Sequence, residues 1–283
     1  MAKFITKLTV FIISLLASTL FAQNFQGEAI YQSKRFMDEA TFKITGSNQD
    51  PAFEKELQES LAKAFEKTYE LHFNVNEDLY QEQEKLEAPQ QAGGAMMSIS
   101  FGSEKSYRNR KDKTLIEEEE FFSKEFLVSD SLSSYAWTML PDTKKIGQYA
   151  CYKAMVTIPV SAEQLADYEK RLAEQEKNKT QLLTLKAPED RVIEAWYAPE
   201  IPVNTGPATY WGLPGLIMEV HDGDVVYLCT KVTLNPKNAK KIEKPKKGKK
   251  VSRKEYKKIM EEKFESMKDG NGNIMIETII IGG

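Results

Sequence analysis

The spacing of apolar residues changes its period early in the chain. Four apolar residues between positions 53 and 65 recur at every fourth position, which predicts a helix that begins near Pro51. From Tyr69 to Val75 apolar and polar residues alternate, which predicts a half-buried strand with His72 on its outer face. The polar stretch from Glu77 to Gln91 is typical of a loop.

The rest of the chain has mostly the period of strands. Alternating or short apolar runs predict further strands at 27–34, 105–109, 121–129, 135–140, 148–158, 191–197, 215–221, 225–234 and 274–281.

Local signals fix several element ends. Ser161 with Gln164, and Ser252 with Glu255, each form the pattern of a capping box at the start of a helix. Asp222-Gly223 between two apolar runs predicts a tight hairpin.

These elements predict an α+β protein. Some nine or ten strands and about three helices do not alternate regularly, which favours a curved, mostly antiparallel sheet with the helices on one side. No repeat or long linker divides the chain, so we expect a single domain at 23–283. By analogy alone, this arrangement is similar to periplasmic lipoprotein carriers, whose concave face would hold a lipid or an extended peptide.

The first 22 residues have the pattern of a secretory signal peptide. Lys3 and Lys7 precede an apolar run that ends at Leu20, and Ala22 precedes the expected cleavage point. The run is shorter than the roughly 20 apolar residues of a transmembrane anchor. No cysteine follows the cleavage point for lipid attachment. We therefore expect a periplasmic or secreted protein with no transmembrane span after cleavage.

Charge is nearly balanced over the chain but uneven along it. The net charge of −3 argues against nucleic acid as a partner. However, twelve of the 22 residues from Lys237 to Lys258 are basic. Two readings stay open: a solvated loop leading into a helix, or a docking patch for an anionic membrane surface or acidic envelope partner, centred on Lys246, Lys247, Lys249 and Lys250.

The two cysteines and two histidines limit the chemistry. Export permits a disulfide between Cys151 and Cys229, and the alternative is two separate buried thiols. His221 lies among acids in the predicted hairpin, but a transition metal would need more imidazole or thiolate ligands. We therefore predict neither a metal site nor a cofactor.

Catalytic motifs are also missing. The chain has no Gly-x-Ser-x-Gly elbow, phosphate-binding loop or dinucleotide fingerprint. The acidic run Glu117–Glu120 is typical of a solvated edge. The sequence therefore favours a protein that is not an enzyme, with a hydrolase using scattered carboxylates as the least favoured reading. Asp130-Ser131-Leu132 matches a short O-glycosylation sequon and marks Ser131 as a candidate site.

One hexapeptide carries a family resemblance. Gly212-Leu213-Pro214-Gly215-Leu216-Ile217 resembles the signature of the GLPGLI family of exported, uncharacterised proteins of Bacteroidetes-type bacteria. The strand Ile146–Ala154 and the run Trp196–Val203 resemble the same family. The resemblance implies an exported envelope protein and assigns no catalytic residue.

The segment that contains the hexapeptide has two readings. Four prolines and three glycines between positions 199 and 215 make it stiff. It is either a buried crossing that closes one end of the sheet, or a preformed aromatic lip for a ligand or partner. The candidate binding residues are Trp196, Tyr197, Tyr210, Trp211, Gly212, Leu213, Pro214, Gly215, Leu216 and Ile217.

The functional expectation combines these features. We expect a non-enzymatic envelope protein that binds a lipid, a peptide or an envelope protein. The alternative is a structural or interaction component of an outer-membrane assembly that docks through the basic segment.

Overall fold

The computed structural model of the protein describes residues 25–36, 66–83, 105–178 and 187–267. The signal peptide, the helix predicted near 51–65 and the strand predicted at 274–281 lie outside these residues. No helix within them is both long and apolar enough to cross a bilayer.

Twelve strands form one sheet, where the sequence pattern predicted nine or ten. They are β1 Gln26–Arg35, β2 Lys67–Asn74, β3 Glu77–Glu82, β4 Lys105–Asn109, β5 Thr114–Phe121, β6 Lys124–Ser131, β7 Thr138–Ile146, β8 Tyr149–Ile158, β9 Arg191–Ala198, β10 Leu216–Asp222, β11 Val225–Leu234 and β12 Lys249–Ser252. Two helices lie within the described ranges, α1 Ala162–Asn178 and α2 Arg253–Ser266.

The sheet is mostly antiparallel, as the sequence predicted. Its strand order is β12-β6-β5-β4-β3-β2-β1-β11-β10-β9-β8-β7. The pairing of β12 with β6 is parallel. The chain divides into two compact units, each built from several chain segments. The first unit contains the described residues of 25–30, 69–133 and 231–267, and the second contains those of 31–68 and 134–230.

The predicted turn and caps are present. β10 and β11 pair through Asp222↔Val225, with Gly223 at a φ of +58° in the turn between them. Both capping boxes form, because Gln164 N–H and Glu255 N–H each donate to the serine hydroxyl three residues earlier. Helix α2 buries Tyr256 against β6 and β12, with Ile259, Met260 and Phe264 packed on the same cluster.

Strands β3, β5 and β12 were missed because charged residues interrupt their apolar pattern. Residues Glu77–Glu82 of the loop predicted at 77–91 form strand β3, and residues 84–91 lie outside the described residues. The acidic run Glu117–Glu120 is not a solvated edge but lies within β5, and Arg253 pairs with both Glu117 and Glu119. Burial raises the pKa of both carboxyl groups, although Arg253 opposes that shift.

The outward orientation predicted for His72 is also wrong. Its side chain is 7% exposed, and its Nε2 lies 3.2 Å from Glu70 Oε2. His72 pairs with Leu79 across the strands.

The basic segment also contacts this sheet. Leu79 belongs to a core cluster on which Ile242 packs. The basic segment 237–258, which contains Ile242, is therefore held against the sheet by an apolar side chain.

Candidate functional site

Residues 199–215, between β9 and β10, form a covering segment that lies over one face of the second unit's sheet. Leu213 and Ile217 are fully buried there against β8 and β9. The core cluster comprises Ala154, Val156, Ile193, Ala195, Tyr197, Tyr210, Leu213, Ile217 and Val220. This arrangement corresponds to a buried crossing.

Close backbone approach explains the glycines of the hexapeptide. A Cβ at Gly215 would lie 2.4 Å from the carbonyl oxygen of Ala198. Gly212 has a φ of +97°, which favours glycine, and its N–H donates to Asn204 O at 3.0 Å. Leu216 N–H then donates to Ile201 O at 3.1 Å, which leads the chain into β10.

The aromatic residues predicted to form a lip are buried. Trp196, Tyr197, Tyr210 and Trp211 are 8%, 6%, 4% and 7% exposed. Tyr197 and Tyr210 pack in the core cluster under the covering segment. The structure therefore gives these four residues, and Leu213, Leu216 and Ile217, a packing role and does not present them as an open aromatic surface.

Trp196 lies on the opposite sheet face from this cluster, under two lysines. Lys144 Nζ is 4.3 Å and Lys153 Nζ 5.6 Å from its ring centroid. Each lysine also forms a 2.7 Å ion pair, with Glu219 and Glu194 respectively. The aliphatic parts of the two lysine side chains cover the indole, and their ammonium groups make cation–π contacts with it.

Tyr210 is fastened to the end of β10 by a polar clamp. Its hydroxyl donates to Asp222, and Arg191 holds the same carboxylate in a bidentate pair. Burial and the hydrogen bond to Asp222 raise the pKa of Tyr210, so the phenol remains a donor.

Of the two alternatives for the cysteines, the structure has the two separate buried thiols and not the disulfide. Cys151 in β8 and Cys229 in β11 are not joined, and β9 and β10 lie between their strands. Three strand spacings place the two strands roughly 14 Å apart, beyond the reach of a disulfide. Both side chains are buried.

The four lysines of the predicted docking patch are exposed. Lys249 and Lys250 are in β12, Lys246 and Lys247 precede it, and Lys247 pairs with Glu125. His221 and Glu219 contact each other on the outer face of the hairpin at 2.5 Å. No group of three or more His, Cys, Asp or Glu residues is placed to hold a metal ion within the described ranges.

A polar cleft in the first unit was not predicted. It has a volume of about 550 Å³ and is lined by residues 25–26, the turn 74–77 and residues 109 and 111–112. Seven of the nine lining residues are polar or charged. These segments are far apart in sequence, and only the strand order β4-β3-β2-β1 brings them together.

The turn between β2 and β3 is fixed by Asn74. Its Oδ1 accepts the N–H groups of Asn76 at 2.8 Å and Glu77 at 2.7 Å. Asn109 fixes the turn after β4 in the same way, because its Oδ1 accepts Asp112 N–H at 2.9 Å and its Nδ2 donates to Asp112 Oδ2 at 3.0 Å.

A buried ion cluster of Asp78, Arg108 and Arg110 holds the turn that lines the cleft. Arg110 N–H donates to Asn76 O at 2.8 Å, and its guanidinium donates to Asn74 O. The same guanidinium and that of Arg108 both contact Asp78, which is fully buried. Burial lowers the pKa of Arg110, while Asp78 opposes that shift. The cluster therefore holds the β2–β3 turn in one position.

Glu77 joins the cleft to the core. Its Oε1 accepts the hydroxyl of Tyr107 and, at 3.5 Å, the Nδ2 of Asn109. Burial and the bond to Glu77 raise the pKa of Tyr107 to about 12. Tyr107 therefore stays protonated and donates to Glu77 throughout the neutral range.

Comparisons with known proteins match one part of the chain to a family model. Residues 137–219 match the family model described as "Protein of unknown function (Porph_ging)". The matched range includes the hexapeptide and most of the second unit. A search of curated proteins found no match.

Two solved structures share limited similarity with the chain. "Structure of PNGF-II in C2 space group" is 15% identical with a TM-score of 0.47, and "Structure of PNGF-II in P21 space group" is 16% identical with a TM-score of 0.46. Each match covers 85% of this chain. The chain spans only about a third of the length of either protein, 33% and 34%.

Proposed function

We propose that the protein is an exported, non-enzymatic binding protein that holds a small polar ligand in the cleft of the first unit. The observation that carries this proposal is the prearranged cleft itself. Its volume of about 550 Å³ lies in the roughly 300–1,000 Å³ range of small-molecule sites. Its two turns are fixed by asparagine side chains before any ligand arrives, which lowers the entropic cost of binding.

Binding is favoured over catalysis by the chemistry available at the cleft. Glu77 and Asp112 accept hydrogen bonds from neutral protein donors. The sequence also supplies only two histidines, and neither lines the cleft. Side-chain amides remain toward a ligand, and these groups suit recognition.

Export and membership of the GLPGLI family complete the proposal. The hexapeptide Gly212–Ile217 itself supports the membership. The basic and apolar pattern of residues 1–22 supports export. Cell fractionation and N-terminal sequencing test this part, and a protein that begins at Met1 in the cytoplasm contradicts it.

A lipid cargo, as in lipoprotein carriers, fits this cleft poorly. Only Phe25 and Val75 of the nine lining residues are apolar, too few to cover an acyl chain. Docking of the basic segment on an anionic membrane or acidic partner stays a prediction. The exposure of Lys246, Lys249 and Lys250 supports it, whereas the pairing of Lys247 with Glu125 weakens it.

Ligand-observed saturation-transfer NMR tests the binding proposal. Three compound sets serve as probes: neutral sugars, zwitterionic amino acids, and polyamines. Asn76→Trp fills the cleft from an exposed turn position, and Thr143→Trp places the same ring on exposed β7 as a matched control. We expect at least one compound whose signal is lost with Asn76→Trp and kept with Thr143→Trp. If no compound shows that difference, the proposal is wrong.

A further inference from the structure

We propose that the ligand of this cleft is a neutral saccharide, an inference that rests on the proposed function and names the class of its ligand. The lining of the cleft carries the chemistry that would recognise a saccharide: side-chain amides, one aromatic ring, and charges of both signs.

The amides provide the main recognition groups. Gln26, Asn74, Asn76 and Asn109 all line the cleft. The side-chain amides of Gln26 and Asn76, and the Nδ2 of Asn74, make no hydrogen bond with any described residue. An amide offers a donor and an acceptor in one plane, which matches neighbouring sugar hydroxyls, each both donor and acceptor.

The charges of the cleft disfavour ionic ligands. Glu77 and Asp112 carry negative charge and Lys111 positive charge, so an anion such as a phosphate would face two carboxylates. A cation would face Lys111, and both carboxylates already accept hydrogen bonds from Tyr107 or Asn109. A neutral ligand avoids the desolvation cost of placing another charge here.

Phe25 provides the apolar contact. Its ring is half-buried at one side of the cleft and lies 6.4 Å from the Phe73 ring. A Cβ at Gly27 would lie 2.4 Å from Phe73, so the glycine lets that ring pack close to β1. The face of an aromatic ring with polar groups beside it suits the C–H face of a pyranose ring.

Three variants separate these contributions without filling the cleft. Asn74→Asp keeps the Oδ1 acceptor that holds the turn but removes the Nδ2 donor. Asn76→Ala and Phe25→Ala remove the exposed amide and the ring. Lys111→Met removes the positive charge from the lining of the cleft and so tests whether charge contributes to binding. A thermal unfolding curve close to that of the original protein confirms that each variant folds.

Titration calorimetry with the strongest sugar from the NMR experiment tests the ligand class. We expect each of the first three variants to weaken sugar binding about tenfold, which corresponds to about 1.4 kcal/mol, and Lys111→Met to change it less than threefold. Because the ligand is neutral, we expect affinity to stay the same between low and high salt.

The outcomes separate this inference from the proposed function. If amino acids or polyamines, and no sugar, lose their signal with Asn76→Trp, the cleft binds a ligand but the saccharide class is wrong. If a sugar binds and its affinity falls mainly with Lys111→Met or with added salt, the amide mechanism is wrong. If no probe responds to Asn76→Trp, both proposals are wrong.

Discussion

Tyr210 donates its hydroxyl hydrogen to the carboxylate of Asp222, twelve positions later in the chain. This bond joins the covering segment of the second unit to the end of β10, while Arg191 holds the same carboxylate from β9. The bond thus fastens a segment with little secondary structure of its own to two strands.

Tyr210→Phe should lower the free energy of unfolding by about 1.5–3 kcal/mol, the usual contribution of a hydrogen bond to a charged group. Urea unfolding followed by tryptophan fluorescence measures the change. Tyr135→Phe is the control, because the Tyr135 hydroxyl is half-exposed and contacts the neutral Thr209 hydroxyl at 3.1 Å. Equal losses of unfolding free energy in the two variants would show that the hydrogen bond to the Asp222 carboxylate stabilises the protein no more than a bond between neutral groups.

The stability of the second unit should also depend on pH through Asp222. Burial raises the pKa of this carboxyl group, but hydrogen bonds from Arg191 and Tyr210 outweigh burial and hold it below its usual 3.8. The stabilisation is therefore present above the unfolded pKa of about 3.9 and is lost as the pH falls through the lower folded value. Tyr210→Phe should raise the folded pKa and move acid unfolding to higher pH. Circular dichroism during acid titration checks this, and an unchanged midpoint contradicts it.

Gly215→Ala should destabilise the protein by about 3 kcal/mol or more, because the new Cβ would meet the backbone carbonyl of Ala198. Gly147→Ala is the matched control. Gly147 has a φ of +58° and nothing within 4 Å of the new Cβ, so only the left-handed backbone costs free energy, about 1–2 kcal/mol. Urea unfolding of both variants compares them. A smaller loss for Gly215→Ala would mean that β9 yields easily at this contact.

Asp78→Asn should lower the free energy of unfolding by about 3–5 kcal/mol, because it removes the carboxylate between two buried arginines. Asp130→Asn changes an exposed carboxylate on β6 and should stay within about 0.5 kcal/mol. Chemical denaturation followed by circular dichroism measures both. If the Asp78 variant unfolds like its control, the ion cluster does not hold the cleft.

Alkylation should show two thiols in Cys151 and Cys229. In denaturant without reductant, mass spectrometry should find two added alkyl groups, and a mass without any would require a disulfide. In the folded protein we expect slow labelling of Cys151, because burial raises its pKa to about 11 and leaves little thiolate at neutral pH.

The sequence predicted those turns and helix caps whose interacting residues lie within a few positions of each other. The Asp222-Gly223 turn and the capping boxes at Ser161 and Ser252 each involve partners within a few positions, and all three are confirmed. Strand β5 was missed because its glutamates are paired by Arg253, more than 130 positions later. No local pattern reveals such a partner.

The cleft could not be predicted for the same reason. Its residues come from three segments that strand pairing brings together, and isolated asparagines in turns are common. The hexapeptide was conspicuous in the sequence, yet its glycines and apolar residues are explained by close packing. The most conspicuous motif of the sequence therefore serves the packing of the core, and the cleft is built from residues that form no motif.

The positions of the tryptophans have a practical consequence. All three, Trp137, Trp196 and Trp211, belong to the second unit. Tryptophan fluorescence therefore reports the unfolding of the second unit alone, whereas far-ultraviolet circular dichroism reports the unfolding of both units. If the two optical transitions separate, the units melt as distinct cooperative blocks, and the native fluorophores suffice to detect it without any label.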